Sequence, residues 1–358
     1  MNILVLTTHL NRGGISRYVI NLCKGLTKRG HKVFVASASG EWLKDLNADI
    51  YSHKHIPVKT KSIFSPKIMV CFFYLQSFIR QEKIDVIHAN TRVTQCLAYL
   101  LYKKTKIPYI SAFHGFYKPK FWRKMFKLSG LRSIAVSKAV KNHLVEDLEI
   151  EIDSIRVVYN GIDIYAMDSY KSSRQNWGFK ESDFLAGILG RISAEKGHEL
   201  AIEAVARLVP RHENFYFIIS GEGKLKEKII SLISERNLED RVRFVDSPAN
   251  DFLKSLDLLL APSEKEGFGF SIVEAFAVGL PVIGYNTGGI AELIKDRQNG
   301  ILFNTYNSLV LADAIEELMI KPELRRGLSD KARETAAFFS LENMAAMTEK
   351  VYLEVLKA

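Results

Sequence analysis

Short, nearly all-apolar runs recur along the chain, each followed by a longer stretch in which apolar residues return every three or four positions. In the first half the runs predict strands over 3–7, 32–36, 86–88, 108–112, 133–136 and 156–158, with helical spacing over 15–28, 67–80 and 94–102. The second half repeats the pattern. Strands are expected over 184–189, 215–220, 242–245, 256–261 and 281–284. Helices are expected over 198–208, 225–234, 271–277, 308–318, 322–336 and 341–356. A strand that is apolar on both faces belongs to a parallel sheet covered by helices on both sides. Strand-helix alternation of this kind predicts a doubly wound α/β domain, present twice. The stretch 164–183 is polar and without a clear period, and it is taken as the connection between the halves. Two such domains would form a cleft, with ligands at the carboxyl ends of the strands.

At 358 residues the chain is too long for one ordinary domain and suits two of ~150–180. Its charge changes the picture, because the net +10 is unevenly spread. Residues 1–164 carry 26 Lys and Arg against 11 Asp and Glu, a balance of +15; the remainder carries 24 against 29, a balance of −5. One half is therefore expected to face something anionic: lipid headgroups, a phosphorylated acceptor or nucleic acid. No nucleic-acid motif accompanies the charge, so nucleic acid is set aside. Cys23, Cys71 and Cys96 have neither CxxC spacing nor a His cluster, and read as buried thiols of a reducing compartment. The first residues read as a strand that begins at once, not as a signal peptide. The most apolar run, 63–79, is broken by Ser65, Pro66, Lys67 and Gln76. It falls short of the ~20 residues that span a bilayer, and reads as a core or interfacial helix.

Candidate chemistry lies just after predicted strands. Glu266 and Glu274 stand eight residues apart around Gly267-Phe268-Gly269-Phe270-Ser271, a glycine loop opening a helix. The amides of Gly269, Phe270 and Ser271 would suit a phosphate, and the carboxylates would suit sugar hydroxyls. On spacing alone the pair could also be two solvated glutamates on a capped helix. Gly190-Arg191 and Lys196-Gly197 follow the strand 184–189; both cations could neutralise a diphosphate, or simply lie on the surface. Gly13-Gly14, followed by Arg17, makes a turn from the first strand into a helix. There is no GxGxxG and no GxxxxGK[ST], which counts against a dinucleotide dehydrogenase and a P-loop NTPase. His88 and His114 each sit at a strand's carboxyl end, where a functional reading competes with a structural one. Ser220-Gly221-Glu222-Gly223 is a further strand-to-helix turn.

Taken in order, these motifs, together with Val136-Ser137, Asn160-Gly161-Ile162-Asp163 and Gly288-Gly289, resemble the family 4 retaining glycosyltransferases of the GT-B fold over nearly the whole chain. The resemblance implies two Rossmann-like domains. The first, 1–164, would bind the acceptor; the second, 165–340, would bind a nucleotide sugar, with UDP the commonest donor base; and residues 341–358 would cross back onto the first domain. By the same resemblance Arg191 and Lys196 would hold the donor diphosphate and stabilise its departure. Glu266 would bind the transferred sugar and Glu274 the ribose, with Gly190, Gly221, Phe268, Gly269, Phe270 and Ser271 around the donor. Gly13 and Gly14 would close over the phosphates. Arg17, His88 and His114 would lie on the acceptor side, with His114 beside the reacting sugar. Glu222 stands where the family usually carries Asp. No Asp-x-Asp tripeptide is present, so no metal and no cofactor beyond the cosubstrate is expected; the two cations would serve the leaving group. Retention by front-face attack is expected. The segment 117–128 interleaves aromatics, Trp122 among them, with five cations, and a second basic stretch includes His53, Lys54, Lys59, Lys61 and Lys67. Both suggest peripheral binding to the anionic inner face of the cytoplasmic membrane, and a lipid-linked or other saccharide acceptor. Alternatives are a soluble phosphosugar acceptor, or a nucleotide-sugar epimerase or hydrolase.

Overall fold

A computed structural model describes residues 1–46, 50–60, 62–169 and 171–357. Lys61 lies outside the described residues, as does the side chain of Trp122. The chain forms two compact units, Met1–Ile162 with Phe339–Ala358, and Asp163–Phe338.

The first unit is built on seven strands: β1 Asn2–Leu6, β2 Lys32–Ser37, β3 Ser52–His55, β4 Val86–Ala89, β5 Tyr109–Phe113, β6 Arg132–Ala135 and β7 Ile155–Val157. They are all parallel, in the order β3-β2-β1-β4-β5-β6-β7. The order reverses between β1 and β4, which is where doubly wound sheets open a crevice at their carboxyl ends. Leu4, Leu6, Phe34 and Ile87 on the sheet pack with Ile68, Leu75 and Ile79 of the helix Pro66–Gln81 and Leu97 of the helix Arg92–Thr105.

The last helix, Leu341–Lys357, belongs to this unit and lies on the helix Gly14–Lys28. A Cβ at Gly25 would stand 2.9 Å from the Ala345 Cβ, so the two helices meet at close range. Glu349 takes His31 at 3.0 Å, and Glu354 takes Arg156 at 2.8 Å and Arg132 at 3.1 Å. The half-exposed arginine pairs contribute little singly. The buried seam of Leu341, Met344, Ala345, Val351 and Tyr352 holds the helix.

The second unit has six parallel strands: β8 Phe184–Leu189, β9 Phe215–Ser220, β10 Val242–Phe244, β11 Leu258–Ala261, β12 Val282–Tyr285 and β13 Ile301–Phe303. Their order, β10-β9-β8-β11-β12-β13, reverses between β8 and β11. The stretch 164–183, read from sequence as a connection, is tied into this unit. Arg174 is buried and donates to Asp257 at 2.9 Å, and the same carboxylate oxygen accepts the Leu185 amide at 2.8 Å.

Candidate functional site

The carboxyl ends of β8 and β11 carry the strongest of the expected groups. After β8 the chain runs through Gly190 and Arg191 into a short 3-10 turn, Ala194–Lys196, and then the helix His198–Leu208. Gly197 joins the two at φ +72°. That left-handed conformation is costly for a residue with a Cβ, and a Cβ there would stand 2.1 Å from the Pro262 carbonyl oxygen. Glycine thus lets the Lys196 turn lie directly on the loop after β11. The loops are also stitched by the Glu264 amide, which donates to the Glu195 carbonyl at 2.9 Å.

This packing brings Lys196 and Glu266 together as a partly buried ion pair. Gly190, Lys196, Ser263, Glu266 and Ser271 line one crevice at the strand ends. Glu266 is held from behind as well, its carbonyl accepting the Gly289 amide at 2.8 Å. Gly269, at φ +108°, opens the helix Phe270–Ala277. Its first amides, Phe270 and Ser271, precede the first i to i−4 bond, from Val273 to Gly269. A helix start beside a cation is a site for an anion. Phe268 is buried and meets Phe270 edge-on at 5.6 Å, which fixes the loop. Gly221 permits a close approach of the loops after β8 and β9: a Cβ there would be 1.8 Å from the Gly190 carbonyl oxygen.

Two expected residues are placed differently. Arg191 does not join Lys196 and Glu266. Its side chain is 71% exposed and its guanidinium pairs with Glu195, four residues on, at 3.0 Å. Glu274 is buried within its helix and does not line the crevice.

In the first unit, Gly13 and Gly14 are exposed at the start of the helix Gly14–Lys28, and Arg17 is half-buried one turn on. His114 follows β5 and is half-buried. Asn90 Nδ2 donates to the Leu6 carbonyl at 3.2 Å, so its Oδ1 faces His114 and accepts from Nε2 at 3.2 Å. Nε2 therefore carries the proton and Nδ1 the lone pair. Burial lowers the imidazole to about 3, which keeps it neutral at ordinary pH. The His114 backbone amide donates to the Tyr117 hydroxyl at 3.0 Å, and its ring stands against Tyr18 at 4.6 Å.

His88 corrects the expectation placed on it. It is fully buried, 3.3 Å from the Tyr18 hydroxyl and 2.7 Å from the Tyr352 hydroxyl. Burial, with His114 nearby, lowers it to about 3. It is enclosed between the first and last helices of the unit, so no acceptor reaches it; it supports Tyr18, which in turn backs His114. Sequence reasoning missed His198 and Ser263, both buried at the same crevice as Lys196. The only sequence signal for either was position: Ser263 lies in the loop after one strand, and His198 follows the loop after another.

Two parallel, doubly wound sheets with these switch points give the chain the GT-B architecture. A model of the group 1 glycosyl transferases matches residues 169–335, and one of glycosyltransferase family 4 matches residues 12–165. The chain belongs to that family. An uncharacterized glycosyltransferase of Methanocaldococcus jannaschii is 29% identical over 96% of this chain and 95% of its own. The N-acetyl-alpha-D-glucosaminyl L-malate synthase of Bacillus anthracis is 26% identical over 98% and 97%. Anabaena HepE, solved with UDP and glucose, superposes with a TM-score of 0.84 at 22% identity, with complete coverage of both chains.

Proposed function

We propose that this glycosyltransferase moves a sugar from a UDP-sugar to a membrane-associated acceptor, with retention of anomeric configuration. The carrying observation is the Lys196–Glu266 pair beside the helix start at Phe270 and Ser271, at the switch point of the second sheet. In this reading Lys196 neutralises the diphosphate, where other enzymes use a divalent cation, and Arg191 swings from Glu195 to join it. Glu266 accepts hydroxyls of the sugar. The acceptor oxygen bonds to the anomeric carbon on the face from which the diphosphate leaves, and its proton passes to a phosphate oxygen. On the first unit, His114 offers its Nδ1 lone pair to a hydroxyl of the acceptor. The UDP bound to HepE favours uridine as the donor base.

Nucleotide screening tests this directly. UDP and UDP-sugars are expected to raise the melting temperature, whereas ADP and GDP leave it unchanged; a ligand at 100 times its Kd adds ~2.7 kcal/mol. Product NMR with the stabilising sugar is expected to show the donor's anomer preserved. An inverted product would reject retention, and no response to any uridine nucleotide would reject the donor.

The acceptor reading rests on the first unit's surface. Between Ile50 and Val145 the only carboxylates are Glu82 and Asp85. Within that span Phe64, Val70, Phe73 and Phe121 are exposed. Their segments both meet the helix Arg92–Thr105: Cys96 Sγ lies 4.0 Å from the Ile63 carbonyl, and Arg92 donates to the Lys127 carbonyl at 3.0 Å and to that of Phe126. Among the described residues no helix is long and apolar enough to cross a membrane. Exposed apolar side chains in a stretch with so large an excess of cations suit an anionic bilayer. The protein is expected to sediment with phosphatidylglycerol vesicles at low salt, to remain in solution with neutral vesicles, and to be released as salt rises. The malate named for the Bacillus relative favours a second reading, a small anionic acceptor in solution. Equal recovery in the supernatant with and without vesicles would select it.

A further inference from the structure

His198 is the first residue of the helix His198–Leu208 and is 2% exposed. It is among the residues that enclose the crevice of Lys196, Glu266 and Ser271, and both ring nitrogens are closed to solvent there, so a ligand reaches them only as the crevice opens. Neither Nδ1 nor Nε2 has a hydrogen-bond partner among the described residues. Burial, with Lys196 as a second cause, lowers the imidazole to about 4, so at neutral pH one ring nitrogen is a donor and the other an acceptor. A buried polar ring left unpaired opposes folding, and an apolar side chain of similar size would be better tolerated there. The Gly197 contact explains why the helix begins here, but not why its first residue is a histidine.

We infer that His198 reads the sugar of the donor, giving its N–H to one sugar oxygen and accepting from a sugar hydroxyl. A diphosphate alone cannot match both nitrogens, because its oxygens at neutral pH only accept; a polyhydroxyl group can do both. The side chain touches the substrate but makes and breaks no bond, so it acts in binding and specificity. The inference rests on the donor reading proposed above, and it adds a residue to that site.

The test compares His198→Leu and His198→Gln with the parent protein, using UDP, UDP-glucose and UDP-N-acetylglucosamine as probes in calorimetry and thermal melts. His198→Leu is expected to melt at or above the parent temperature and to bind UDP within twofold of the parent. Its affinity for the UDP-sugar should fall by about 10- to 100-fold, the worth of two hydrogen bonds. His198→Gln, which can donate and accept, should recover part of the loss. In the parent, a ring nitrogen signal absent from His198→Gln should shift with the UDP-sugar and stay fixed with UDP. This readout serves even if the leucine variant fails to fold. UDP-sugar affinity unchanged in both variants, with a ring signal that does not move, would overturn the inference and leave the donor reading intact. So would parallel losses of melting temperature and of both affinities, which mark a packing role. If the parent bound none of the three probes, the donor reading itself would fall, and His198's role with it.

Discussion

Lys196→Ala is expected to lower sugar transfer by about 10²–10³-fold, the cost typical of removing one preorganised group that stabilises developing transition-state charge. In the proposed reaction, negative charge grows on the departing diphosphate, and Lys196 is the cation that the fold delivers to the switch point of the second sheet. Its ammonium is already held by Glu266, and its turn is fixed between Ser193 and Gly197, so little reorganisation is needed when the donor arrives. The loss should appear mainly in kcat. Lys196→Arg should rescue poorly, because a planar guanidinium does not fit the geometry of a compact ammonium. Removing the lysine also leaves Glu266 without its partner, so melting temperature must be followed in parallel. A variant that melts like the parent and transfers at more than a tenth of the parental rate would remove Lys196 from the chemistry.

Gly197→Ala is expected to cost about 2–5 kcal/mol, the sum of a left-handed residue with a Cβ and an overpacked contact. The φ of +72° and the 2.1 Å approach to the Pro262 carbonyl act together, and the second atom belongs to backbone that cannot rotate away. The measurement is urea unfolding of the second unit's transition, since two units need not unfold as one. Gly14→Ala is the contrasting case: a Cβ there meets nothing within 4 Å, and the residue begins a helix. It should leave stability unchanged or raise it by up to ~1 kcal/mol, while reducing activity if the glycine keeps room for the phosphates. Equal stabilities for Gly197→Ala and the parent would contradict the packing described.

The regular strands were legible because each is a short run buried on both faces, as in Phe184–Leu189 and Phe215–Ser220. β3 was not, because Ser52–His55 is an edge strand of polar residues that owes its place to pairing with β2. β13, Ile301–Phe303, was not predicted either. The site was legible as loops after strands, and Lys196 and Glu266 meet as that pattern suggested. What sequence could not reveal was side-chain direction. Arg191 turns to a glutamate four residues away, and Glu274 turns into its own unit's interior. His88 is claimed by a tyrosine 264 positions later, a contact without any local signature.

That tyrosine belongs to the last helix, which completes the first unit only after the whole second unit has been synthesised. On the ribosome the Asp163–Phe338 unit can close as soon as it emerges. The earlier sheet must wait with the Gly25 face of its first helix bare and His88 lacking one hydroxyl. Completion of the first unit thus waits for the last residues of the chain, and a nascent chain stalled before residue 341 would display an apolar seam to the cell's holding chaperones.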